Sequence, residues 1–153
     1  MVKITRFLFL IHFCFLSVNG SFADSKNGTE MEARTLLERA VNLIRVDEVV
    51  GLTMITIPNG GFHQKDLYPF CIDGRGILMA HPYLLGSSIK DFVSEDGVKV
   101  GVSFLKNARD GTISELTYIQ PIFANGKLTG KTAKKTSFFT RVGNHVCASG
   151  FYK

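Results

Sequence analysis

The chain has 153 residues, which is enough for one domain and an N-terminal targeting segment. It holds 18 basic and 13 acidic side chains, a formal net charge of +5. Two of the basic residues and none of the acidic ones lie in residues 1–23, so the remaining chain carries 16 basic and 13 acidic residues. A surplus this small, scattered along the sequence, argues against nucleic acid as a partner. A chain of this length can bury one core without a metal.

Residues 1–23 have the pattern of a secretory signal peptide. Lys3 and Arg6 precede an apolar run over residues 7–18, and residues 21–23 provide the small side chains of a cleavage site. The apolar run is too short to span a bilayer, which takes about 20 residues. We therefore expect a periplasmic or secreted protein with no stable membrane insertion after cleavage.

The first helix is predicted to begin at Thr29, because Glu32 stands three residues on, in the spacing of a capping box. Residues 24–32 then form a polar tail and helix cap, with Asn27 in a glycosylation sequon that matters only in a eukaryote. The apolar residues that follow form one helical stripe, too short for a coiled coil and suited to packing on a sheet: Ala33, Leu36, Leu37, Ala40, Val41 and Ile44. A second helix is predicted over residues 47–55.

From residue 67 the pattern changes to short apolar runs between turns. The runs 67–73 and 77–81 predict a β-hairpin, with Gly74 and Gly76 at its turn in unusual backbone conformations. Pro69 indicates an edge strand or an irregular first residue.

The second half of the chain predicts one more helix and three more strands. A helix is expected over residues 98–108, and the strands over 112–123, 136–142 and 145–152, with a polar loop between the first two of these strands. Runs of antiparallel strands with helices gathered at one end indicate an α+β domain.

Five pieces of the sequence, in order, resemble the single Cache family of extracellular PAS-like sensor domains. They are Gly61-Phe62, the segment from Asp66 to Gly74, the segment from Ile77 to Pro82, Lys135 to Phe139, and Ser149 to Tyr152. The resemblance implies a PAS-like single Cache domain over residues 33–153, with a five-stranded antiparallel sheet and N-terminal helices packed on it. The chain departs from the family pattern in having no Trp, and in a longer segment over residues 125–134.

The resemblance also implies a pocket for a small organic acid such as acetate, pyruvate or propionate. Lys135 would supply a charged donor to the carboxylate, or else be a solvated charge in a basic loop. His81 would donate to the ligand or cap the following loop, and both alternatives stay open. Tyr68 and Tyr118 would form aromatic walls with hydroxyl groups, or else belong to the core.

Two cysteines remain once Cys14 has left with the signal peptide. The family's strand order would place Cys71 and Cys147 on neighbouring strands, so that they form a disulfide or remain two buried thiols.

The sequence favours a binding protein over an enzyme. His63, His81 and His145 lack metal-ligand spacing, and His145 with Cys147 gives only two ligands. No nucleophile motif is present, and we expect no cofactor. The predicted function is therefore an exported, sensor-type domain that binds a small molecule. The alternative is a secreted interaction module that docks on a membrane receptor and takes no small ligand.

Overall fold

The computed structural model describes residues 26–124 and 127–153. The predicted signal peptide and its cleavage site, together with Cys14, lie outside these residues. The elements in chain order are α1 (Glu30–Val46), α2 (Glu48–Thr56), β1 (Pro69–Ile72), β2 (Leu78–Ala80), α3 (Val100–Asn107), β3 (Ser114–Ala124), β4 (Lys127–Val142) and β5 (His145–Tyr152). None of the helices in these ranges is long and apolar enough to cross a bilayer.

Helix α1 begins with the predicted capping box. The Thr29 side chain accepts from the Glu32 backbone N–H, and the Thr29 backbone N–H donates to the Glu32 carboxylate over 2.8 Å. All six residues of the predicted apolar stripe are buried. Asp47 ends this helix and starts α2, because its side chain accepts from the Val50 backbone N–H over 3.0 Å. Both predicted N-terminal helices are confirmed.

The five strands form one antiparallel sheet in the order β2-β1-β5-β4-β3. Helices α1 and α2 pack on one face of this sheet through the apolar stripe. Helix α3 and the segments around it pack on the other face, with Phe104 fully buried. The predicted α+β architecture, with neighbouring first and fifth strands, is confirmed.

The β1–β2 hairpin also forms as predicted. The Asp73 carboxylate accepts from the backbone N–H groups of Arg75 and Ile77, both over 2.9 Å, and so closes the turn. Gly76 has a φ of 82°, in the left-handed region expected of a turn glycine. The same expectation is wrong for Gly74, which has no positive φ. Pro69 is the first residue of β1, and β1 lies between β2 and β5 in the sheet. The prediction of an edge strand at Pro69 is therefore wrong.

The polar loop predicted between the third and fourth strands is wrong. Strand β4 begins at Lys127 and continues the hairpin with β3, and its residues 127–132 are all exposed. Because these residues are exposed, the segment shows no apolar alternation, and its sequence is typical of a loop even though its backbone is paired. The ribbon accounts for the extra length of this segment.

Cys71 and Cys147 are directly opposite each other on β1 and β5, with Cα atoms 4.0 Å apart, and the structure joins them in a disulfide. Both side chains are fully buried on the face that α1 covers. The bond therefore links two central strands inside the core.

We predict that this bond is present in the exported protein and stabilises it. It closes a sequence separation of 76 residues, so its reduction should lower the free energy of unfolding by about 4 kcal/mol. Urea denaturation of residues 24–153 with and without reductant measures the loss, and alkylation in denaturant counts the blocked thiols. The Cys71→Ala/Cys147→Ala variant, which reductant should not affect, is the control. Equal labelling of the oxidised and reduced chains would contradict the prediction.

Candidate functional site

The candidate site lies on the sheet face that carries α3. Because side chains alternate along a strand, Lys135 and Ser137 on β4 point to the same face as Phe139, which packs against Phe104 of α3. Tyr118 lies directly opposite Lys135 in the β3–β4 ladder, and Ser137 lies opposite Gly150 of β5. The antiparallel register thus brings polar side chains from neighbouring strands together.

A cavity of about 300 Å³ lies between this face, α3 and the segment after β2. Three of the four predicted binding residues line it, namely Tyr68, His81 and Tyr118. Most of its remaining wall is apolar, including Phe70, Leu78, Ile89, Phe92, Val100 and Phe104. A largely apolar concavity with a few polar groups is typical of a small-molecule site.

Lys135 is fully buried beside this cavity and does not line it directly. Its Nζ lies 4.4 Å from the centroid of the Tyr68 ring and 5.2 Å from that of Tyr152. Within the described residues the ammonium group has no hydrogen-bond partner. Burial lowers the pKa of Lys135, while the nearby Tyr152 and Asp66 act to raise it. The alternative of a solvated lysine in a basic loop is therefore wrong.

Hydroxyl and amide groups surround the lysine. Tyr118 Oη lies 3.1 Å from Ser137 Oγ, and Gln120 Nε2 donates to Tyr152 Oη over 2.8 Å. Burial raises the pKa of Tyr68, Tyr118 and Tyr152, so all three phenols are neutral at physiological pH. The immediate surroundings of the amine thus offer aromatic rings and neutral dipoles.

His81 caps the loop that follows β2. Its Nδ1 accepts from the backbone N–H groups of Tyr83 and Leu84, over 3.0 and 3.1 Å. Because Nδ1 is the acceptor, the proton of the neutral ring lies on Nε2. Burial lowers the pKa of His81 to about 3, and electrostatic interactions with Lys135 and His63 act in the same direction. The capping alternative is confirmed, and donation from Nε2 to a ligand stays a prediction.

We predict that neutral His81 contributes stability above pH 6.5 that is lost as the pH falls towards about 3, because the folded state resists protonation. In His81→Asn the amide oxygen can still cap the loop, but the residue no longer titrates. The free energy of unfolding of this variant should fall less between pH 6.5 and 4 than that of the wild type. Parallel pH profiles for wild type and His81→Asn would refute the assignment.

A second cavity of about 520 Å³ adjoins the first and shares Tyr68 and Phe123 with it. Its lining includes Asp66, Tyr152 and Lys153. Tyr68 therefore borders both cavities, and the Lys135 amine lies against its ring.

Sequence reasoning missed Gln120, Ser137 and Tyr152 as members of the site. Residues two apart on a strand point to the same face, so Gln120 could have been inferred from Tyr118, and Ser137 from Lys135. Tyr152 had no such signal, because its position beside Lys135 depends on the β4–β5 register.

The described ranges contain no group of three or more His, Cys, Asp or Glu side chains that could hold a metal ion. Cys147 is in the disulfide, and His145 lies 3.1 Å from Glu48, on the face opposite the cavity. The weak two-residue metal site considered in the sequence does not form.

The fold is that of solved sensor domains from chemoreceptors. A methyl-accepting chemotaxis protein from Vibrio parahaemolyticus RIMD 2210633 superposes with a TM-score of 0.62 at 20% identity, covering 80% of this chain and 86% of that one. The periplasmic sensor domain of a chemotaxis protein superposes with a TM-score of 0.55 at 20% identity, covering 78% of this chain and 87% of that one. A Cache chemosensory domain, solved to explain carboxylic acid recognition, superposes with a TM-score of 0.56 at 19% identity. The superposition covers 80% of this chain and 86% of that one.

No family model and no curated protein matches the sequence. The strand order, the helices on both faces and these superpositions define a PAS-like sensor fold. Within that class the chain has the single Cache fold, as its sequence pieces predicted.

Proposed function

We propose that the protein is an exported sensor-type domain that binds an organic carboxylate at Lys135. The observation that carries the proposal is the fully buried Lys135 amine, which has no hydrogen-bond partner in the described chain and lies beside a cavity. A buried charge without a partner costs free energy, whereas a carboxylate would neutralise it. The site therefore suits an anionic ligand.

The neighbouring groups complement such a ligand. Nε2–H of His81 and the hydroxyl of Tyr68 are donors at the cavity wall, and both groups remain neutral. A hydrogen bond to a charged group contributes about 1.5–3 kcal/mol, so one ammonium and two neutral donors support micromolar binding, about −8 kcal/mol.

Export has independent support. The signal-peptide pattern of residues 1–23 precedes a domain that holds the Cys71–Cys147 disulfide. Disulfides persist in oxidising compartments. One of the solved domains with this fold is described as periplasmic. These observations support a periplasmic or secreted location.

A second candidate function is docking to a membrane receptor. Val46, Val49 and Val50 are exposed together at the junction of α1 and α2, on the side of the domain away from the cavity. Clustered exposed apolar side chains favour protein contact. Docking through this surface is compatible with ligand binding.

We predict opposite effects of Lys135→Met on stability and binding. Methionine has similar length and no charge, so the ligand-free protein should gain about 1–3 kcal/mol in unfolding free energy. The affinity for carboxylates should fall about ten- to 150-fold. Thermal shift and calorimetry with acetate, pyruvate, propionate and longer acids measure both effects. Lys134→Met, which alters the exposed neighbouring lysine, should change neither. Unchanged carboxylate affinity in Lys135→Met would reject the proposal.

Binding should also take up a proton. The pKa of Lys135 lies below its ordinary value of 10.5, and a bound carboxylate raises it again because it favours the ammonium form. Between the lowered pKa and 10.5, affinity should therefore fall as the pH rises. In the same window the unfolding free energy of the ligand-free protein should rise with pH, because the unfolded state binds more protons. Calorimetry in buffers of different ionisation enthalpy measures the uptake, and its absence would refute the assignment.

A further inference from the structure

We infer that the ligand is a carboxylic acid with an apolar chain or ring of about five to eight carbons, larger than acetate, pyruvate or propionate. The inference rests on the proposed function, since it assumes that the carboxylate binds at Lys135. It deepens that function because it names the part of the ligand that the cavity selects.

The first argument is the chemistry of the cavity wall. Leu78, Val100 and Phe104 line it with hydrocarbon and are themselves at most 1% exposed. Tyr118 presents mainly its ring, because its hydroxyl is engaged with Ser137. Away from the rim, the wall opposite the polar groups has few atoms to which water or a second carboxylate could hydrogen-bond.

The second argument is size. Water has a liquid volume of about 30 Å³ per molecule, so a cavity of about 300 Å³ corresponds to roughly ten water-sized groups. Acetate has four non-hydrogen atoms and octanoate has ten. A short acid would leave most of the apolar wall in contact with water. A longer chain would replace that water and bury its own apolar surface.

The third argument is the path from the lysine into the cavity. The Tyr68 ring contacts the Lys135 amine, and the same side chain lines the cavity. A continuous aromatic wall follows, with ring centroids 5.2 Å apart for Tyr68 and His81, 5.9 Å for His81 and Phe70, and 5.8 Å for Phe70 and Phe104. A carboxylate at Lys135 would direct its chain along this wall towards α3.

Calorimetry with the straight-chain series from acetate to octanoate tests the inference. Each buried CH₂ contributes about 0.8 kcal/mol, so affinity should rise about fourfold per carbon until the cavity is full. Tightest binding by acetate, propionate or pyruvate, or an affinity independent of chain length, would overturn the inference and leave the proposed function intact. Hexanol is the matched neutral probe. If hexanol binds as tightly as hexanoate, recognition of the carboxylate fails, and the proposed function fails with it.

A pair of adjacent substitutions tests the position of the chain. Leu84 lines the cavity from the loop after β2, whereas its neighbour Leu85 is 58% exposed and does not line it. Leu84→Trp should reduce the affinity for hexanoate and octanoate at least tenfold and leave that for propionate unchanged. Leu85→Trp should bind the whole series like the wild type. Should Leu84→Trp retain its transition temperature and also the full chain-length dependence, the apolar chain does not occupy this cavity.

Discussion

The candidate site depends on one constraint, the burial of a lysine amine among side chains that bring it no hydrogen bond. Lys135 lies under the rings of Tyr68 and Tyr152, and no described acidic group comes within ion-pair distance of it. The same positive charge helps to keep His81 neutral. Uncharged phenols and an imidazole therefore surround a single amine, whose protonated form would favour an anion over a cation.

The two faces of the sheet pack against different elements, and the candidate cavity lies on one of them. The face under α1 holds the regular apolar stripe and the disulfide. On the opposite face a cavity interrupts the packing. The buried Lys135 amine lies beside this cavity and has no hydrogen-bond partner in the described residues. The cavity face also contains a buried core of its own, which includes Phe104 and Phe139, so recognition and packing share this side of the five strands.

Local patterns predicted the elements well where one face is buried and the other exposed. The stripe from Ala33 to Ile44 has this character, and it formed as expected. Strand β5 also formed as expected, although its residues 145–150 are all buried. The start of β4 at Lys127 could not be found this way, because residues 127–132 are all exposed. The site was predicted only in part for another reason. Contacts such as that between Lys135 and Tyr152 depend on strand register, and a register shift of one residue would move either side chain to the other face.

The Cys71–Cys147 bond has a consequence for the covalent topology of the domain. It encloses the loop after β2, helix α3 and the β3–β4 ribbon in one ring of backbone, so a single cut in any of these exposed connections leaves the two fragments linked. A protein nicked by a protease at the Asp96-Gly97 turn would remain one molecule under oxidising conditions. An extracellular domain that meets proteases can in this way keep its strands paired after its chain is broken.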